Sequence, residues 1–223
     1  MSDVFSGLRS IGIFFSRTSF DFRSEVVTPE DAIIRALPVL KSDYLTLQLI
    51  YTWIQKHHSL LHAEALSKKI EKWTSSNIEL AFLNGLLYSS NDKRLISITK
   101  NHGSKKEDFS KFISKHLRLA AEIGQTSYDQ NLAKFGIKMN RLEMEDEKKF
   151  IPQDTILKQN PFLYCRALFG SNWRADVAAL IAIQPDVNPT KISSLLQCSY
   201  ETAHRNYHAL KLVSWPKLPV LEA

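Results

Sequence analysis

Three histidines stand close enough together to suggest a metal site: His57, His58 and His62. His58 and His62 are four residues apart, the spacing at which two imidazoles share one helix face. A tetrahedral site needs further donors, and Glu64 is the one carboxylate beside them. The pattern also breaks the helix between His58 and His62. The histidines are therefore read as residues of a helix C-terminal turn, where the dipole favours imidazolium, and no metal is expected. The run EMEDEKK (143–149) gathers four acids, but no histidine or aromatic residue accompanies them, so it reads as a solvated charge run. Cys165 and Cys198 are isolated, each in a helical context, with neither metal spacing nor a nucleophile motif around them. The seven glycines form no G-x-G-x-x-G or G-x-x-x-x-G-K phosphate loop, and no G-x-S-x-G elbow occurs. No catalytic residue and no cofactor follows, and the chain reads as a binding module rather than an enzyme.

The side chains with a chemistry still to assign lie near the C-terminus, in the run 173–213. Trp173, Val177, Leu180 and Ile181 recur at three- and four-residue steps, which predicts a helix ended by Pro185. Asn188 caps a second helix opening at Pro189 and Thr190, with Ile192, Leu195 and Leu196 inward. After the tight turn Gln197-Cys198-Ser199, Ser199 caps a third helix from Tyr200 to about Lys211. Ala203, Tyr207 and Leu210 form its buried side, and Ser193 and Ala203 are the small residues where the last two helices cross. The outward side then holds Tyr200, Glu201, Thr202, His204, Arg205, His208 and Lys211. A helix of this size fits the DNA major groove. Arg205 is placed to fork onto guanine, Tyr200 and Thr202 to touch base edges or phosphate, and Lys211 to grip phosphate. With Thr190 and Ser199 at the two helix starts, these residues form the candidate DNA-binding set.

The run TKISSLLQCSYETAHRNYHALKLV (190–213) resembles the helix-turn-helix cores of bacterial winged-helix regulators. The resemblance extends upstream through Asn160-Pro161-Phe162 and the stretch Arg166-Ala167-Leu168-Phe169-Gly170. The family has Gly-Val-Ser in the turn where this chain has Gln197-Cys198-Ser199. It closes on Gly-Leu-Val entering a β-wing, where Leu212-Val213 follows Lys211 directly. In the tail after Val213, with Pro216 and Pro219, one strand fits but a two-stranded wing hardly does. The resemblance implies a transcriptional regulator that binds double-stranded DNA, as a homodimer where the operator is two-fold. A protein-docking adaptor or antitoxin-like module, using the same helices against a protein partner, is the alternative.

The remaining sequence must position that unit. A hydrophobic fraction of 44% suits a globular chain of 223 residues. No apolar run approaches the twenty residues of a membrane span, and no signal peptide is read at the N-terminus. Two isolated cysteines suit a reducing cytoplasm. Net charge is +6. Between Lys93 and Arg141 eleven Lys/Arg face four Asp/Glu, a balance of +7, so the rest of the chain sums to −1. That segment would supply phosphate contacts if DNA is the partner.

Four regions are expected. Residues 1–27 form an aromatic arm, with Val4, Leu8, Ile11 and Phe15 at helical spacing, docked on the body or on a second subunit. Residues 28–106 form a helical domain, opened by Thr28-Pro29-Glu30-Asp31 with its acids at the helix dipole. A strand over 94–99 would make 43–100 a second, degenerate winged helix. Residues 107–160 are a basic connector carrying one long helix from Glu107 to about Ile123 and a strand over 135–142. Residues 161–223 hold the helix-turn-helix domain. The expected fold class is mainly α, with winged-helix-like helix-turn-helix units and small β-hairpins.

Overall fold

The computed structural model describes residues 2–14, 27–73, 76–103 and 107–213. Phe15, Phe20 and Phe22 of the arm, Lys105 of the basic segment, and the tail expected to hold one strand lie outside the described residues. Among those described, the helices are α1 (Ser2–Ser10), α2 (Pro29–Ala36), α3 (Tyr44–His57), α4 (Ala63–Lys72), α5 (Asn77–Ser89), α6 (Lys93–Asn101), α7 (Leu119–Glu122), α8 (Gln130–Ala133), α9 (Gln153–Gln159), α10 (Pro161–Phe169), α11 (Trp173–Ile183), α12 (Pro189–Leu196) and α13 (Tyr200–Leu212). No β-strand occurs among them. Two isolated antiparallel bridges, Ile13 with Phe150 and Tyr128 with Asn140, are the extent of β pairing. The chain is mainly helical, and the expected β-hairpins, with the winged-helix architecture they would define, are corrected.

The physical reasons are local in one place and non-local in another. Leu95, Ile96 and Ile98 favour a strand by type, but Asp92 accepts the amide of Arg94 at 2.9 Å and starts α6 instead. Leu95, Ile98 and Thr99 then share the buried side of a helix. No strand remains from which 43–100 could build a second winged helix. The long helix expected from Glu107 to Ile123 is also absent. Two 3-10 turns, at Ser110–Phe112 and Lys115–Leu117, precede the short α7. Backbone bonds from far along the chain hold this path: Phe109 N–H to Gly136 O (2.9 Å), Ser114 N–H to Lys41 O (3.1 Å) and Asn140 N–H to Leu117 O (2.8 Å). Gly136 has φ +83°, and a Cβ there would collide with the carbonyl of Glu107. Only glycine fits that approach.

The chain divides into two compact units that alternate along the sequence. One comprises Met1–Ala32, Ser59–Lys69 and Phe150–Ala223, and the other Ile33–His58 and Ile70–Lys149. The second is built around α5, against which α3, α6 and α8 pack. A Ser76–Glu79 capping box starts α5. The basic segment belongs to this unit, and several of its cations are engaged. Arg94 pairs with Asp92 at 2.7 Å, Arg118 pairs with Glu122, and Lys134 lies 4.0 Å over the ring of Tyr88. The run at 143–149 is likewise ion-paired, Lys149 with Glu145 and Lys56 with Glu147.

The first unit is built around α11, which packs against α10, α12 and α13. Leu8 of α1, with Ile11 and Ile13 just beyond it, is buried, so the described part of the arm belongs to this core. Asn160 fastens it. Its Nδ2 donates to Ser10 O at 2.7 Å, while its Oδ1 accepts the amides of Phe162 and Leu163 and caps α10. No described helix is long and apolar enough to cross a membrane.

Candidate functional site

Each of the last three helices starts at a polar cap. Asn172 accepts from Ala175 N at 3.1 Å, Asn188 from Lys191 N at 2.9 Å, and Ser199 from Thr202 N at 3.1 Å. These bonds satisfy amides that the first helical turn leaves open. Between α12 and α13, Gln197 takes the left-handed conformation at φ 57°, a position where glycine is commoner. Ser193 Oγ then donates to Cys198 O at 2.7 Å and closes the turn. Ala203, Asn206 and Leu210 of α13 and Ile192 and Leu196 of α12 are buried. Leu195, expected inward, is exposed. Tyr207 is only partly buried, and the inward position is taken by Asn206, whose Nδ2 donates to Thr202 O at 2.9 Å.

The outward side of α13 is open among the described residues. Thr190, Ser199, Tyr200, Glu201, His204, Arg205, His208 and Lys211 are all exposed. Thr202 is half-buried, and its hydroxyl accepts from Ser199 Oγ at 2.8 Å, so it serves the cap. Tyr200, His204 and His208 follow at four-residue steps and form a row of rings. Centroids lie 5.6 Å apart for the first pair and 4.2 Å for the second. The ring of Tyr207 meets His208 edge-on at 5.4 Å, and Lys211 Nζ lies 5.5 Å from the Tyr207 centroid. This surface offers imidazole and phenol donors and acceptors, two fixed cations and one carboxylate on a rigid rod of ~20 Å.

Beside this helix lies a pocket of about 330 Å³ lined by Phe169, Asn172, Trp173, Arg174, Arg205 and Asn206. Arg174 and Arg205 are exposed and form no ion pair or hydrogen bond with any described residue. Arg174 was not among the residues the sequence singled out. It sits in the first turn of α11, four residues after Gly170, which ends α10 at φ +77°, with only Asn172 as a local signal that a helix begins there.

The sequence also gave no sign of the ionised cluster under this unit. Arg166 is completely buried. Its Nη1 and Nη2 donate to the two carboxylate oxygens of Glu30 at 2.8 and 2.9 Å, and its Nε donates to Asp176 Oδ1 at 2.7 Å. The other oxygen of Asp176 accepts from His62 Nδ1 at 2.7 Å, and the backbone N–H of His62 donates to Glu30 at 2.8 Å. Burial pushes the Asp176 carboxyl up, but Arg166 and the bonds from His62 and Arg166 outweigh it and hold the group below its ordinary value. His62 lies under Trp173, ring centroids 4.4 Å apart. Cys165 is fully buried, and burial, with the charge of Asp176 adding to it, pushes its thiol up to about 12. That thiol stays protonated and packs as a small apolar group.

The histidines expected to behave alike do not. His58 pairs with Asp92 at 3.2 Å, while burial and the neighbouring Lys56 hold His57 below its ordinary value. For His57 the helix-terminus argument is outweighed by desolvation. No group of three His, Cys, Asp or Glu that could hold a metal ion is found among the described residues. Compared with protein-family models, curated proteins and solved structures, the chain has no significant match.

Proposed function

We propose that the first unit binds double-stranded DNA, with α13 lying in the major groove, and that the protein acts as a cytoplasmic transcriptional regulator. The observation that carries this reading is the asymmetry of α13. Its inner side is locked to α11 and α12, and its outer side presents polar and cationic groups with nothing described covering them. Base edges require a rigid element with mixed donors and acceptors, and phosphates require cations. His204, His208, Glu201 and Tyr200 suit the first task, and Lys211 suits the second. Thr190 and Ser199, at the starts of α12 and α13, face the same solvent. A homodimer would match a two-fold operator.

The test is selection from a random duplex library at two salt concentrations. The expected result is an enriched sequence and an affinity that falls by ~0.9 log unit per neutralised phosphate for each decade of salt. A specific feature favours the second reading, docking onto a protein. Leu195, Tyr200, Leu212 and Val213 are exposed apolar or aromatic residues on or beside α12 and α13. If no sequence is enriched and no binding depends on salt, the DNA reading is lost and the docking reading replaces it.

A further inference from the structure

The pocket between α11 and α13 assigns Arg205 a different task from reading guanine. We infer that Arg174 and Arg205 form a two-arginine clamp for one backbone phosphate of the duplex, resting on the proposal that this unit binds DNA. Four observations lead there. Arg174 and Arg205 come from different helices, and both residues line one cavity. Neither meets a carboxylate among the described residues, and no described acidic residue lines the cavity. Its volume of about 330 Å³ is ample for a phosphodiester with its flanking sugars. Asn172 and Asn206 line it as polar neighbours, and the first turn of α11 adds the positive end of an eleven-residue helix.

The chemistry selects the ligand class. Two arginines at one opening, neither with a partner among the described residues, gain from an anion placed between them. Their planar donor forks match phosphate oxygens. The walls supplied by Trp173 and Phe169 favour an anion carried on a partly apolar body, as a phosphodiester is by its sugars. With Arg205 turned to this cavity, sequence discrimination passes to the row formed by Tyr200, His204 and His208. Arg205 then contributes affinity without specificity.

The experiment measures duplex affinity as a function of salt for the full chain and for Arg174→Ala, Arg205→Ala, Arg174→Lys and Arg205→Lys. Each is measured on the selected sequence and on a random-sequence duplex. Circular dichroism melting confirms that each variant is folded. Each alanine variant is expected to weaken both duplexes by the same factor and to lower the magnitude of the log–log salt slope, the two losses together amounting to the ~0.9 of the one phosphate that the pair neutralises. The lysine variants keep the slope, because the charge is retained. Inorganic phosphate at constant ionic strength is the control anion.

If Arg205→Ala leaves the salt slope unchanged and abolishes preference for the selected sequence, the clamp is overturned while DNA binding stands. Unchanged slopes in both alanine variants have the same consequence. Should the wild type bind inorganic phosphate at these arginines but no duplex, the pocket is a small-anion site, and both the clamp and the DNA reading fail.

Discussion

Arg166 and the pair Arg174/Arg205 belong to the same unit, yet they do opposite things. Arg166 is wholly buried and spends its donors on Glu30, Asp176 and the carbonyl of Leu60. Arg174 and Arg205 reach solvent and meet no described partner. The same guanidinium is a structural tie in one place and a charge with no described partner in the other, and environment alone separates them. A buried ion pair is maintained because removing one member strands the other charge in a low dielectric. An exposed arginine can be lost with little effect on folding, so its availability is a matter of binding.

This contrast can be tested in decreasing order of effect. Arg166→Met removes a cation bonded to two buried carboxylates, and it should destabilise the protein by ~3–5 kcal/mol. Urea unfolding followed by circular dichroism measures this, and a loss below ~1 kcal/mol would show that the cluster is not a tie. Acid comes next. The carboxyl of Asp176 titrates below its ordinary value of 3.8 in the folded state. Its contribution is present above that value and is lost as pH falls through the depressed folded value. Urea midpoints should therefore fall more steeply below about pH 4 in the wild type than in Asp176→Asn, compared at matched starting stability. Equal acid limbs would remove Asp176 from the account. The smallest effect belongs to the exposed pair. Arg174→Ala and Arg205→Ala should each change unfolding stability by ~0.5 kcal/mol or less, and a larger loss would mean that these arginines support the fold.

A second comparison shows where sequence reasoning succeeds and where it stops. Residues 173–212 were legible because their helices begin at Asn172, Asn188 and Ser199, each a cap whose partner lies three residues ahead. Apolar spacing then located most of the buried side. The errors there, Leu195 and Tyr207, lie at the edges of that stripe, where packing against neighbours decides. Residues 107–149 were not legible. Their backbone bonds reach from Ser114 to Lys41 and from Asn140 to Leu117, so the periodicity that suggested one long helix was overridden by partners outside any local window. Asp92 stands between these cases. It is a local cap, and its bond to Arg94 N outweighs the β-propensity of Leu95, Ile96 and Ile98.

The same division holds for the candidate site. The outward residues of α13 could be named from the sequence, because helical spacing fixes which side chains share a face. Arg174 could not, since nothing within the chain's local pattern says that the start of α11 comes up beside Arg205. By its local pattern Glu30 is an ordinary acid at a helix start, and its partner Arg166 lies 136 positions away.

The sequence by itself determined that the chain is mainly helical, where the last three helices begin, and which residues of the final helix face outward. Those are properties of short windows, set by caps, proline and apolar period. Only the tertiary structure decided that the β-hairpins are absent among the described residues. It also decided that Arg166 is bound within the core and that Arg174 joins Arg205 at one cavity. Charges acquire a role only when distant segments meet or leave them unpaired, and that depends on desolvation and contact, which no local pattern encodes.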